Sequence, residues 1–358
     1  MNTPLYIHAA SAISPQHSYE RAAFLDPVIE CSTGHLFAAE AAYSKHISPV
    51  AIRRMSKPLK MAISAAMQCL EEAGVKTPDA IVTGTGRGSV TDMETLVKDM
   101  IRLDEEALNP TLFIQSTYNS PNGWIAMQSG CTGYNQTYVH RGCSFELALL
   151  DAQLLVLEEG PQTTALVGCY DEMTEDYFHI KGRIGYWKSP LPSSNLQLLD
   201  EAGNPGSIGG EGAAFFLLSG VPGSAASRIA GFHMLQDATA ESVSAAIGDL
   251  LALQSLAHDQ VDFVLTGMNG DARQQGLYAF LKDFKYYGAF KHLCGEYDTA
   301  SGFGLWLADH LLRQQQVPQA ILAGASAGPH LLKNILLVNH YLHGSASVIL
   351  LQHAAPQA

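Results

Sequence analysis

The order of apolar and polar positions along the chain repeats itself. The segment PDAIVTGTGRGSVTDMETLVKDM starts at Pro78, and QVDFVLTGMNGDARQQGLYAFLKDF starts at Gln260. Both read as an aspartate, four strand-type residues, a glycine, a glycine-bearing turn and a helix ending in Lys-Asp-Met or Lys-Asp-Phe. Asp79 thus matches Asp262, and Gly84 matches Gly267. Two further pairs follow in the same order: PQTTALVGCYDE from Pro161 with PQAILAGASAG from Pro318, and GAAFFLLSG from Gly212 with SASVILLQH from Ser345. Short apolar runs between turn signals suit fully buried strands. Ahead of the middle strand of each copy runs a longer apolar segment, SFELALLDAQLLVLEEG (144–160) and ASGFGLWLADHLLRQQQ (300–316). Each begins apolar on nearly every face, which predicts a helix buried between layers.

Strands alternating with helices predict an α/β protein whose mixed or parallel sheets are covered on both faces. Two copies of one unit predict a pseudo-twofold architecture with halves at 1–220 and 221–358, divided in the Gly/Ser/Pro-rich stretch LLSGVPGSAASRIAG. The polar, turn-rich stretch 186–213 is expected to run over the surface.

Composition narrows the function. With 47% hydrophobic and 15% charged residues in 358, the chain has little polar material to cover its surface, so a deep core and a buried subunit interface are expected. The net charge of −13 and the lack of a basic cluster interleaved with aromatics argue against nucleic-acid binding. Arg53, Arg54, Lys57 and Lys60 are a candidate basic patch for an acidic carrier, or simply a solvated helix start. The six cysteines are scattered with no CxxC pair, which fits free thiols in a reducing compartment and neither a disulfide framework nor a metal site. The N-terminus lacks a basic signal-peptide region, and no apolar run is long enough to span a membrane, so a cytoplasmic protein is expected.

Cys143 follows Arg141-Gly142 and opens the first buried helix. A helix N-terminus offers unpaired N–H groups and a positive dipole end, which together predict a thiol of depressed pKa and a ready oxyanion site. A small buried residue filling space at a helix start is the alternative. The segment KHLCGEYDTASG (291–302) enters the equivalent helix of the second half. There Lys291, His292, Glu296 and Asp298 are candidates to face the thiol, while Asp298 or Thr299 suits a helix cap. His340 and His343 are placed in a turn before the last strand, where histidines are mostly solvated. The glycines of GGEGAAFFLL (209–218) lead into a strand with no helix following, so they read as close backbone packing and point to no cofactor.

In this order the pieces resemble the β-ketoacyl synthase family of the thiolase fold, in its fatty-acid and type II polyketide branch. RRMSKPLKMAISAAMQCLEEAGV (53–75) resembles the family's Arg-Met-Asp segment, and VTGTGRG (82–88) its first glycine turn. The stretch 109–152 resembles the approach to the nucleophile, with Asn119 and Gly130 on characteristic positions and Cys143 on the active-site cysteine. VGCYDEM, GGEGAAFFLL and LVNHYLHGSASVILL match the later blocks. The resemblance implies a five-layer αβαβα thiolase-like fold, two pseudo-twofold-related halves each with a mixed sheet, and a dimer. It further implies acyl thioesters on acyl carrier protein or acyl-CoA as partners, no cofactor, and an acyl chain carried on the cysteine while two histidines support decarboxylative condensation.

The chain departs from that pattern where the histidines belong. The first slot falls on Gly267 in VLTGMNGD, with Asn269 the nearest polar substitute. In the second, KHLCGE, Lys291 is kept and Glu296 stands in place of the imidazole. The glycine-rich gate reads Tyr341-Leu342-His343-Gly344. A glycine donates nothing to a developing enolate and an ionised glutamate repels it. Losing one such donor commonly costs about 100- to 1,000-fold in rate. Besides a plain dimeric scaffold with a vestigial pocket, two readings follow. In one, Cys143 takes an acyl group and transfers it, with Glu296 as base and Asn269, His292, His340 or His343 as substitutes. In the other, the chain is a non-condensing, chain-length-factor-like subunit that forms a heterodimer with an active ketosynthase instead of a homodimer. Both serve assembly of fatty-acid, polyketide or aryl-polyene-type chains.

Overall fold

The computed structural model describes residues 3–21, 24–201, 203–323, 328–342 and 344–354. Among the described residues twelve strands are formed: β1 (Leu5–Ile13), β2 (His35–Leu36), β3 (Ala80–Gly84), β4 (Tyr134–Tyr138), β5 (Ala165–Asp171), β6 (Gly209–Gly210), β7 (Gly212–Ser219), β8 (Ser227–Leu235), β9 (Phe263–Thr266), β10 (Tyr287–Ala289), β11 (Asn334–Tyr341) and β12 (Ser345–His353). The helices are α1 (Pro49–Ile52), α2 (Lys57–Ala73), α3 (Val90–Arg102), α4 (Pro110–Ser116), α5 (Ser120–Ser129), α6 (Ser144–Glu159), α7 (Glu175–Arg183), α8 (Ala240–Leu253), α9 (Lys291–Cys294) and α10 (Ala300–Gln314).

The repeat seen in the sequence is real in topology. Ten strands run in the order β10-β9-β11-β12-β8-β1-β7-β5-β3-β4. From β1 outward the pairings are antiparallel, antiparallel, parallel and parallel, and from β8 outward they are the same. The expectation of a separate mixed sheet in each half is corrected in one respect. Three residues of β1 pair antiparallel with β8, so the two five-stranded sets share one continuous ladder. Asp79 and Asp262 do equivalent work. Asp79 Oδ2 accepts from the Thr164 N–H at 2.8 Å, just ahead of β5, and Asp262 Oδ2 accepts from the Asn334 N–H at 2.8 Å at the start of β11. Each carboxylate clamps the neighbouring parallel strand and sets its register.

That equivalence overturns one expected pairing. The partner of β5 is β11, not the stretch from Pro318. Residues 324–327 of that stretch lie outside the described residues, and Leu322 makes only an isolated bridge to Gly288. Residues 186–213 also do more than cross the surface. Trp187, Lys188, Asn195 and Leu198 are buried, and Asn195 Nδ2 donates to the His292 carbonyl at 2.7 Å.

Layers follow from where the apolar surface goes. Helix α2 begins with Pro58 in its first turn and ends at Gly74 in the left-handed region, where Gly74 N–H and Val75 N–H return to the Glu71 and Leu70 carbonyls. Its buried face (Leu59, Ile63, Ala66, Leu70) covers the outer side of β1, β5 and β7. On the far side of the molecule, α8 covers β8 and β12. Between them lie α6 and α10, whose apolar residues join strands of both halves in one core. Every residue of α10 from Ala300 to Leu312 is buried, as its unbroken apolar start predicts. Helix α6 differs from expectation, because Leu154 and Leu157 are exposed on one side.

The two outer edges are unlike. The free side of β10 is covered by residues 321–323, through Ala289 N–H to Ile321 O at 3.0 Å and Ala323 N–H to Tyr287 O at 3.1 Å. The free side of β4, the uncharged YNQTY, has no strand partner among the described residues, and exposed Phe113 and Val139 line a pocket with its Asn135, Gln136 and Thr137.

Candidate active site

Cys143 ends a short 3-10 turn, Arg141–Cys143, and stands at the N-cap of α6. Ser144 locks the turn: its hydroxyl accepts from His140 N–H and donates to Arg141 O, both at 2.7 Å. Gly142 is required there, since a Cβ would lie 2.3 Å from the Tyr341 side chain. The expected depression of the thiol pKa is overturned. Cys143 is 3% exposed, and burial pushes its thiol up to about 11, with the Glu146 carboxyl adding to the rise. Hydrogen bonding from Gln236 Nε2, at 3.5 Å from Sγ, and from Ser345 opposes this only in part. Desolvation therefore outweighs the helix dipole.

Lys291, Glu296 and Asn269 are brought together, but with one another and not with the thiol. Lys291 Nζ donates to both Glu296 oxygens at 2.8 Å, and Asn269 Nδ2 donates to Oε2 at 2.7 Å. Lys291 also donates to the His340 carbonyl. Lys291, Asn269 and Glu296 are each at most 1% exposed. A carboxylate holding three charge-assisted or amide hydrogen bonds in a site closed to solvent is held in place as part of an ion-paired cluster. Among the described residues no hydrogen bond joins this cluster to Cys143. The Gly267 slot is filled too: a Cβ there would lie 2.4 Å from Asn339 Oδ1 and 3.2 Å from Lys291 Cε.

The substitute histidines are neutral. His340 lies within β11, not in a turn as expected, and is buried. Its Nδ1 meets the Tyr278 hydroxyl at 2.6 Å, and burial reinforced by Lys291 holds its pKa well below the ordinary value. His292 Nε2 donates to Ala320 O at 2.7 Å, and burial lowers its pKa to about 4. Both rings line a cleft of about 650 Å³ with Asn269, Asp271 and Tyr278, yet His292 Nδ1 and His340 Nε2 have no partner and are sealed from its surface. His343 lies outside the described residues.

Sequence reasoning missed the groups that surround the thiol. Glu146, one turn into α6, is fully buried. One of its oxygens accepts from Ser347 Oγ at 2.7 Å, the other has no partner, and burial raises its pKa. A lone acid on an apolar helix was the available signal. Lys181, for which the polar α7 sequence carries no signal, joins the expected candidate Asp298 and the gate residue Tyr341 in a second buried polar group. The expected cap at α10 is absent in that form. Thr299 occupies the N-cap, but its hydroxyl and N–H both donate to Asp171 Oδ2, at 2.7 and 3.0 Å.

With this geometry in hand, the relatives are informative. Residues 32–187 match the family of the β-ketoacyl synthase N-terminal domain. A search of curated protein sequences found no match. Among solved structures, the ishigamide ketosynthase/chain length factor is similar at a TM-score of 0.80 and 15% identity, covering 99% of this chain and 100% of that one. A β-ketoacyl synthase from Burkholderia phymatum STM815 gives 0.76 and 14%, covering 99% and 100%. The ketosynthase ApeO in complex with its chain length factor ApeC, from Xenorhabdus doucetiae, gives 0.76 and 14%, covering 98% of each chain. The fold is thiolase-like, as in these ketosynthase structures, and residues 32–187 resemble the β-ketoacyl synthase N-terminal domain.

Proposed function

We propose that this chain is a non-condensing, chain-length-factor-like subunit that pairs with an active ketosynthase of the same fold. One observation carries the reading: the second imidazole slot holds Glu296, locked by Lys291 and Asn269 in a cluster closed to solvent. Neither slot holds an imidazole, so the decarboxylative step lacks that electrostatic support. The β4 edge, without a strand partner among the described residues, and its exposed apolar neighbours offer a pairing face, and unpaired edges of this kind are normally covered. Two of the similar structures contain chain length factors, which agrees with the reading.

Acyl transfer by Cys143 is the competing reading, and its position at the N-terminus of α6 favours it. A buried thiol raised to about 11 is poorly suited to attack a thioester near neutral pH. The deciding experiment incubates the full chain with acyl-carrier-protein and acyl-CoA thioesters and reads intact mass, beside co-expression with a triad-complete ketosynthase from the same genome. We expect no acyl adduct, a stable one-to-one complex, and product formation by the complex that survives Cys143→Ala. An acyl adduct on the isolated chain that Cys143→Ala abolishes would overturn the proposal.

A further inference from the structure

Lys181, on α7, is a fully buried lysine whose role no step above uses. Its Nζ lies 4.8 Å from the centre of the Tyr177 ring, 5.4 Å from Tyr186, 5.9 Å from Trp187 and 5.6 Å from Tyr341. It donates to the Tyr341 hydroxyl at 3.3 Å and stands 3.9 Å from Asp298 Oδ2. The Tyr341 hydroxyl in turn donates to Asp298, which also pairs with Arg87 at 3.7 Å. Burying an ammonium is costly, and the aromatic cage and Asp298 offset that cost. The arrangement has one visible mechanical effect. The Tyr341 ring lies directly on Gly142, the residue before Cys143, with no room for even a methyl group between them. Lys181 and Gly142 belong to the first half, and Asp298 and Tyr341 to the second, so the contact crosses the pseudo-twofold seam.

We propose that Lys181 and Asp298 form a pin that holds Tyr341 across the Cys143 turn, and that this pin keeps a latent thiol shut. Lys181 is a positioning residue: it acts on Cys143 only through Tyr341. The inference rests on the geometry of this turn alone and stands or falls separately from pairing with a ketosynthase.

The test is the rate of alkylation of Cys143 by iodoacetamide at pH 8 in the full chain, read by peptide mass. The thiolate attacks the methylene carbon, a carbon–sulfur bond forms and iodide leaves. Re-solvating the thiol from about 11 toward an ordinary ~8.5 raises the thiolate fraction about 200-fold at pH 8, while the less basic thiolate is intrinsically about tenfold less nucleophilic. A net acceleration of about 20-fold is expected for Tyr341→Ala and for the charge-neutral pair Lys181→Met/Asp298→Asn. Tyr341→Phe keeps the ring and loses the pin, and should fall between these and the parent chain. Cys69, Cys169 and Cys294 are buried elsewhere and serve as internal reporters of global opening. Unchanged Cys143 labelling in Tyr341→Ala and the charge-neutral pair would overturn the latch. So would an equal acceleration at Cys69, Cys169 and Cys294, which would assign the effect to the whole fold.

Discussion

The turns that enter α6 and α10 are topological equivalents, yet they are closed by different physics. The first is closed by packing: the Tyr341 ring covers Gly142, and the thiol behind it is uncharged. Around the second, charge is met by polar partners: Glu296 is held by Lys291 and Asn269, and Asp171 takes both donors of Thr299. The sheet edges show the same divergence, with β10 covered from within and β4 without a strand partner among the described residues. The two halves thus share one ladder order while their equivalent turns and edges are closed differently. One half stores a shut thiol and an unpaired edge, and the other a locked ionic cluster.

The largest effect should come from breaking the ionic cluster. Lys291→Ala leaves Glu296 buried with only an amide donor, and such a loss costs about 3–5 kcal/mol. Urea unfolding should show it, and Lys291→Met combined with Glu296→Gln should recover most of the loss. If the single and double variants unfold alike, charge pairing is not what closes this half.

Next in size is the pH dependence from the first half's own buried acid. Glu172 accepts from Thr91 N–H and Oγ1 at 2.7 and 2.8 Å, and burial raises its pKa from 4.5 to about 7. The folded state therefore holds this proton more tightly than the unfolded chain does. Its contribution is complete below the unfolded value and fades as pH rises through the folded one, by about 3 kcal/mol at most. Denaturation midpoints measured across pH 4.5 to 7 should fall in the parent chain and fall less steeply in Glu172→Gln, where the raised acids Asp171 and Glu146 keep part of the slope.

Two glycines of the first half sharpen the packing side of the comparison. Gly142→Ala drives a methyl into Tyr341 and should destabilise by about 1–3 kcal/mol in calorimetry. Gly123, within α5, has open space around its Cα, so Gly123→Ala should stabilise by about 0.5–1 kcal/mol. A neutral result at Gly142 would mean that Tyr341 yields easily and that the turn is not closed by packing.

Much of this architecture was legible locally. Asp79 and Asp262 sit at the same offset from a strand start, and each makes the same clamp to the next parallel strand. The apolar start of α10 foretold complete burial. The candidate residues Lys291, Glu296 and Asn269 did come together, because the first two lie on one short turn and the third ends the adjacent β9 loop. Less legible was the strand after α10. PQAILAGASAG imitates the pattern of β5, but strand pairing with β9 selected Asn334–Tyr341 instead. The placement of His340 failed for the same reason, since a strand end and a turn look alike when Gly344 follows closely.

The sequence by itself determined the repeated strand–helix plan and the two buried helices, since both are matters of residue type and short-range period. Tertiary structure decided the state of the cysteine. A thiol at a helix start is activated if water reaches it and silenced if it is dry, and here Cys143 is buried beside the Gly142 backbone that Tyr341 covers, with the Glu146 carboxyl adding to the rise. Lys181 and Tyr341 are 160 positions apart in the chain. Local spacing encodes the dipole, but desolvation depends on what the rest of the fold packs against the group, and the larger of the two wins.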